Sequence, residues 1–178
     1  MKISPDEQII TERCRLRYPT QDDFTGIWTA TRHPGFNDGM VWDPPLSMQE
    51  LHEPLRRSHI AWAEGSSYTW TVESRAGHEF IGRMGLRQTE GKHEWSLGYW
   101  THPSFQNRGY ASEAATAVIE FCFSRLGAIR ITAAHATWNE ASGKVLKRAG
   151  MKRTGINPKG FKKKGKWVEE YEYEILSR

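Results

Sequence analysis

Residues 104–114 read SFQNRGYASEA. A proline, Pro103, stands just before them. A helical pattern follows, with Ala111, Ala114, Ala115, Val118, Ile119, Cys122 and Leu126 at steps of three and four, and Gly127 as its stop. The helix therefore starts near Gly109 without a Ser, Thr or Asp directly ahead of its apolar face. A first turn has backbone N–H groups with no partner inside the helix. Those groups and the helix dipole favour an anion. Gly109 has no Cβ to keep a phosphate from the main chain, and Ala111 is small. Gln106 and Arg108 stand beside the loop as extra donors. The stretch reads as a pyrophosphate cradle built mostly of backbone; the plainer alternative is an ordinary strand-to-helix loop with one glycine.

Downstream, AIRITAAHA (128–136) reads as a strand. It is apolar except for Arg130, so burial on both faces is expected. Asn139 caps a helix running to Ala149, and Gly150 ends it. A last hairpin follows: MKRTGI, a loop over 156–166, then KWVEEYEYEIL with period two. Upstream, residues 67–74, 78–88 and 93–102 read as three strands of an antiparallel meander. Their turns are Arg75-Ala76-Gly77 and Glu90-Gly91-Lys92. Earlier still come a strand at 13–18, a helix at 22–32 beginning near Asp22, and a Gly/Pro/Asn-rich loop at 33–45. Residues 47–65 open with a capping-box pattern, Ser47 and Glu50. Pro54 is expected to end or kink that helix, or to fall between two short ones.

The 178 residues show no repeat or low-complexity tract, which predicts one domain over 1–178. Hydrophobic residues at 38% and charged ones at 26% exclude a disordered chain. The sequence shows neither a membrane-length apolar run nor the apolar core of a signal peptide. Two cysteines distant in sequence, Cys14 and Cys122, are expected to be reduced thiols, and the expected location is cytoplasmic. A net charge of +4 suits an anionic ligand without requiring nucleic acid. Eight tryptophans are expected mainly in core and rim packing, and leave room for either a monomer or a homodimer.

Several other sites are excluded by spacing. No G-x-G-x-x-G occurs. The string Gly160-Phe161-Lys162-Lys163-Lys164-Gly165-Lys166 imitates a P-loop, but Trp167 stands where Ser or Thr must hold magnesium, and a strand follows instead of a helix. No His or Cys pair has zinc spacing, so no metal is expected. His78-Glu79 and His93-Glu94 lack the second His of a zinc-protease helix, and no G-x-S-x-G elbow exists.

Taken together, the motifs resemble the GCN5-related N-acetyltransferase superfamily. Gln106-Asn107-Arg108-Gly109-Tyr110-Ala111 is similar to its Q/R-x-x-G-x-G/A signature. Leu97-Gly98-Tyr99-Trp100 resembles the strand ahead of that loop, and Arg130-Ile131 the strand after the helix. Asn139 and Ser142 with Ala149-Gly150-Met151 resemble its N-x-x-S…G-F element. With RCRLRYPTQDD near the start, the order resembles the Rim-type ribosomal-protein alanine acetyltransferase branch over about residues 12–175.

The resemblance implies an α/β (α+β) fold: a mixed, mostly antiparallel sheet of about seven strands, splayed in the middle and flanked by about four helices. It implies acetyl-CoA as cosubstrate, its pyrophosphate on the amides of Asn107 to Ser112. Pantetheine would pair with free backbone groups of Tyr99, Trp100 and Thr101, and Asn139 would touch it. A backbone N–H near Tyr99 would meet charge developing on the thioester oxygen. The wider superfamily often places a tyrosine acid on the last helix; here the position is Ser142, either near the CoA sulfur as an acid or only a helix-capping residue. Relatives often carry Glu two residues before Gly-Tyr, whereas this chain has Ser96. Glu94 on the same strand face is the substitute base, acting through water, or merely a solvated carboxylate.

The acceptor would lie between residues 33–45, offering His33, Phe36, Asp38, Trp42 and Asp43, and residues 156–166 with five lysines. The lysines either solvate a turn or place the acceptor near phosphate, as on a ribosome or RNA. A protein N-terminal α-amine or a small amine is the expected acceptor. The alternatives are a toxin-like or detoxifying enzyme acting on an aminoacyl or nucleotide-linked amine, or a noncatalytic CoA-binding or RNA-binding protein.

Overall fold

A computed structural model describes residues 2–91 and 93–177. The turn expected at Glu90-Gly91-Lys92 lies partly outside them, at Lys92. Among the described residues eight strands form one sheet: β1 (Ile9–Ile10), β2 (Cys14–Arg17), β3 (Ser67–Ser74), β4 (Phe80–Gln88), β5 (Glu94–Thr101), β6 (Arg130–Ala136), β7 (Lys152–Lys163) and β8 (Lys166–Leu176). The α-helices are α1 (Phe24–Thr31), α2 (His52–Glu64), α3 (Tyr110–Leu126) and α4 (Glu140–Arg148). The strand order is β1-β2-β3-β4-β5-β6-β8-β7. Every neighbouring pair is antiparallel except β5 and β6, which are parallel. The fold is the one the resemblance implied, with eight strands rather than about seven; the extra one is the two-residue β1 paired to β2.

The parallel pair decides the shape. β5 and β6 pair only over Glu94↔Arg130, Trp95↔Ile131 and Ser96↔Thr132. Beyond Ser96 the strands part, while β5 stays paired with β4 to Thr101 and β6 stays paired with β8 to Ala136. A V-shaped opening results in the middle of an otherwise continuous sheet. It also corrects the expectation for β6: Ala134 is exposed, because that stretch of strand faces the opening instead of a neighbour.

Helix α3 covers one face of the sheet with the apolar stripe expected of it. Ala114, Ala115, Val118, Ile119 and Cys122 are buried among Leu16, Trp70, Met84, Leu97 and Ile131. Burial pushes the Cys122 thiol up to about 12 and Cys14 up to about 11, so both stay protonated at neutral pH. Trp62, Trp70 and Trp95 are core residues, whereas Trp42, Trp138 and Trp167 are exposed.

Under α1 lies a charged cluster. The Asp23 carboxylate is buried and accepts from Arg17 Nη2 (2.7 Å), Thr71 Oγ1 (2.5 Å) and the Thr20 N–H (3.0 Å). Arg17 also holds Glu73, which Arg15 joins from the same strand. A buried carboxylate needs such partners, and they fix the start of α1 and hence the loop after it.

Three local expectations change. Ser47 and Glu50 do not form a capping box; Glu50 instead accepts from the Leu46 N–H at 3.0 Å. Pro54 falls in the first turn of α2, where its missing N–H costs nothing, and α2 runs on to Glu64. The expected loop 156–166 is mostly strand. β7 continues to Lys163, and only Lys164-Gly165 turns, both at positive φ, as a two-residue hairpin requires.

Candidate functional site

A cavity of about 910 Å³ fills the V between β5 and β6. One wall is regular structure: Leu97–Thr101 of β5, the loop to α3 with Gln106, Asn107 and Gly109–Ser112, and the start of α4 with Asn139 and Ser142. The other wall comes from the loop after α1: His33, Pro34, Gly35, Phe36, Gly39 and Met40.

The α3 entrance has two left-handed residues, Asn107 (φ 60°) and Gly109 (φ 82°). Gly109 is thus required by its own backbone, and a Cβ there would lie 3.2 Å from Arg13 Nη2. The first helical bond is Glu113 N–H to Gly109 O, at 3.1 Å. The N–H groups of Tyr110, Ala111 and Ser112 therefore have no acceptor within the helix, and all three residues line the cavity. Glu113 fastens this end of α3 to the N-terminal hairpin. It accepts from Thr11 Oγ1 (2.6 Å), the Arg13 N–H (2.8 Å) and Arg13 Nε (2.7 Å). Burial acts to raise the Glu113 carboxyl, but those hydrogen bonds outweigh it and hold the group below its usual range. Arg13 Nη1 also donates to the Arg108 carbonyl at 2.9 Å, tying down the loop itself.

Just past the end of β5 the His102 N–H donates to Ile81 O of β4. Backbone groups alternate along a strand, so those of Trp100 turn toward β4 while those of Leu97, Tyr99 and Thr101 turn toward the opening. Of the three residues expected to offer free backbone, Trp100 does not. Its indole instead joins Phe36 (5.4 Å between ring centroids), Trp42 (6.2 Å) and Phe80 (5.7 Å) on the loop side. The Thr101 carbonyl already accepts from Gln106 Nε2 at 3.1 Å, which gives Gln106 a structural bond.

Asn139 caps α4: its Oδ1 accepts the Ser142 N–H at 3.2 Å. The Ser142 hydroxyl therefore does not cap the helix. It meets the Tyr99 hydroxyl at 2.7 Å, and the Tyr99 hydroxyl also lies 3.0 Å from the Ser142 carbonyl. Tyr99 is partly buried, and desolvation of its hydroxyl pushes the phenol well above the ordinary range despite the bond to Ser142.

Several expected residues are not brought to the cavity. Glu94 sits at the closed end of the V, paired with Arg130 at 3.1 Å, and Arg130 in turn holds Glu174. Ser96 occupies the last paired rung of β5 with β6, opposite Thr132. Both precede the divergence of the strands, so neither lines the opening. Arg108 turns away, its guanidinium over Phe105 at 5.5 Å. His33 does line the cavity, and Trp42 stands behind Phe36 and Trp100. Phe36, expected from the loop, is in the cavity wall; sequence reasoning missed Trp138, Lys144 and Arg148, which also line it. The last two lie four residues apart on α4, and that spacing on one helical face was the available signal.

The two walls touch. Gly39 packs against Trp138, where a Cβ would lie 3.1 Å from the indole. Lys163 Nζ, at the end of β7, donates to the Trp42 carbonyl (2.9 Å) and to Asp43 Oδ1 (2.7 Å), binding the hairpin to the loop. Among the described residues no three His, Cys, Asp or Glu side chains gather as metal ligands would, and no helix is long and apolar enough to cross a membrane.

Comparison with known proteins agrees with this geometry. The family model described as an acetyltransferase (GNAT) domain matches residues 13–152. An uncharacterized N-acetyltransferase of Bacillus subtilis, YnaD, is 38% identical over 54% of this chain, and the match spans only 56% of that protein's length. A second from the same organism, YoaA, is 30% identical over 82% of this chain and 83% of its own length. Among solved structures, RimL, a ribosomal L7/L12 α-N-protein acetyltransferase in complex with coenzyme A, superposes with a TM-score of 0.85 at 18% identity, covering 96% of this chain and 98% of that one. A split sheet with an open helix N-terminus at the split, and a family match over most of the chain, lead to one conclusion: the chain belongs to the acetyltransferase (GNAT) domain family of acyltransferases.

Proposed function

We propose that residues 1–178 form one acetyl-CoA-dependent N-acetyltransferase domain, which transfers an acetyl group to a primary amine by direct attack on the thioester. The observation that carries this is the first turn of α3. Its free amides, with no Cβ at Gly109, open onto the same cavity as Ser142 and the unpaired edge of β5. That combination suits a pyrophosphate followed by an extended amide-bearing arm. The amides of Asn107 to Ser112 hold the phosphates. Leu97, Tyr99 and Thr101 offer backbone groups to the arm, and Asn139 is left with its Nδ2 for the same purpose. Lys144 and Arg148 add positive charge along that wall. Acetyl-CoA supplies the activated acyl group; the chain's residues orient it and stabilise the departing sulfur, for which Ser142 is the donor.

The acceptor favoured is a protein N-terminal α-amine. Glu94 is held by Arg130, so the amine that needs least help with deprotonation is preferred, and an α-amine (pKa about 8) needs less than a lysine (about 10.4). Structural neighbours named as acting on ribosomal proteins support this choice, among them RimL. The Phe36–Trp42–Trp100 cluster favours a second acceptor class, an amine carrying a flat nucleotide-like group. The test is thiol release from acetyl-CoA with a panel of N-terminal peptides, lysine peptides and aminoacyl nucleotides. Turnover on free N-termini is expected. Tight acetyl-CoA binding with no turnover on any amine would overturn the reading.

A further inference from the structure

Resting on that reading, we infer that Tyr99 is a positioning residue for the leaving sulfur: its hydroxyl decides whether Ser142 presents a hydrogen-bond donor to the cavity. Tyr99 belongs to β5 and Ser142 to α4, so this contact joins two elements that line the opening. A tyrosine hydroxyl has one hydrogen. Two acceptors lie in its reach, Ser142 Oγ at 2.7 Å and the Ser142 carbonyl at 3.0 Å.

When Tyr99 donates to the carbonyl, the Ser142 hydrogen points back at the Tyr99 oxygen, and the cavity meets only a serine lone pair. When Tyr99 donates to Oγ, the Ser142 hydrogen is released toward the cavity that Ser142 lines. Negative charge on a sulfur in the cavity selects the second arrangement, and each bond of the chain Tyr99 O–H to Ser142 O–H to sulfur polarises the next. Without the phenol hydroxyl, serine in a first helical turn turns its hydrogen onto nearby backbone carbonyls.

The step balances without ionising Tyr99. The amine nitrogen bonds to the acyl carbon, the C–S bond breaks, and its electron pair stays on sulfur. Ser142 keeps its proton and gives a hydrogen bond. The proton lost by the new amide nitrogen reaches the sulfur through solvent. A desolvated phenol whose proton is held this firmly suits donation of a hydrogen bond, not transfer of a proton.

The experiment is a double-mutant cycle of Tyr99→Phe and Ser142→Ala, with melting temperatures recorded for all four proteins. With acetyl-CoA, each single change is expected to lower kcat about tenfold at nearly unchanged KM, and the double variant no further than Ser142→Ala alone. With an acetyl thioester of an aryl thiol, whose thiolate leaves unaided, the Tyr99→Phe effect is expected to shrink below about twofold. An equilibrium readout accompanies it. At roughly pH 9, where a thiol is largely ionised, the preference for coenzyme A over its desulfo analogue is expected to fall about fivefold in Tyr99→Phe and in Ser142→Ala alike. Additive losses, or an equal loss with the aryl thioester, would reduce Tyr99 to a packing residue and overturn the inference. The proposed function fails separately, if wild type itself transfers no acetyl group.

Discussion

The cavity has two walls of different construction. The wall assigned to the donor is made of β5, α3 and α4, and what it offers is largely backbone: the amides at the α3 start and the unpaired edge of β5. The wall assigned to the acceptor is a loop, and what it offers is side chains, His33 and Phe36, with Trp42 behind and the Trp100 indole of β5 packed against both aromatic rings. Each wall is fastened differently. Glu113 ties α3 to Thr11 and Arg13 through three short bonds, while the loop depends on Lys163 reaching Trp42 and Asp43. Backbone recognition constrains residue identity sharply where a Cβ or a wrong φ would block it. Side-chain recognition tolerates change, so one wall suits a fixed ligand and the other a ligand that differs between relatives.

The largest test of this division is Gly109→Val. A β-branched residue at φ +82° is strained, and its Cβ would lie 3.2 Å from Arg13 Nη2, pressing on the guanidinium that ties down the cradle loop. Calorimetric affinity for acetyl-CoA is expected to fall at least about 100-fold; unchanged affinity would break the backbone-cradle account. Next comes Gly98→Leu. A Cβ at Gly98 meets nothing within 4 Å, and along the strand it shares the Trp100 face. Acetyl-CoA affinity is expected to stay within about twofold while turnover on the acceptor falls roughly 30-fold. Equal losses in both would mean that the two walls are not separate sites.

A smaller effect is expected from Lys163→Ala. Its side chain is only 11% exposed and holds the loop from the hairpin. The acceptor KM should rise about fivefold with the acetyl-CoA KM unchanged, as initial rates will show.

The mildest test is pH. Glu113 has a folded pKa below its ordinary 4.5, so its contribution is present above that value and is lost as pH falls through the lower folded value. Melting temperature should drop by a few degrees more in wild type than in Glu113→Gln between about pH 5 and 3. Parallel curves would remove Glu113 as the fastener of the donor wall.

Much of the wall proposed for the donor was legible as structure because its elements are set locally. Gly109, the stripe from Ala114 to Cys122, and Asn139 with Ser142 are each decided by a few neighbouring residues. Glu94 misled because a strand pattern says which face a side chain takes, not where along the strand its neighbour departs. Three rungs of pairing placed it in the closed end with Arg130. The lysine-rich segment misled in another way. Gly, Pro and Lys suggested a loop, yet pairing with β8 carries an edge strand through irregular register to a two-residue turn. The Tyr99–Ser142 pair joins positions 43 residues apart, and no local pattern marks it.

The sequence alone therefore determined the order of elements, the open start of α3 and the family pattern, since helix starts, stops and strand alternation are written in short spacings. Tertiary structure alone decided where β5 leaves β6, which residues consequently face the opening, and which hydroxyl Ser142 meets. Those depend on how two strands with separate partners diverge, a property of the whole sheet that no single segment carries.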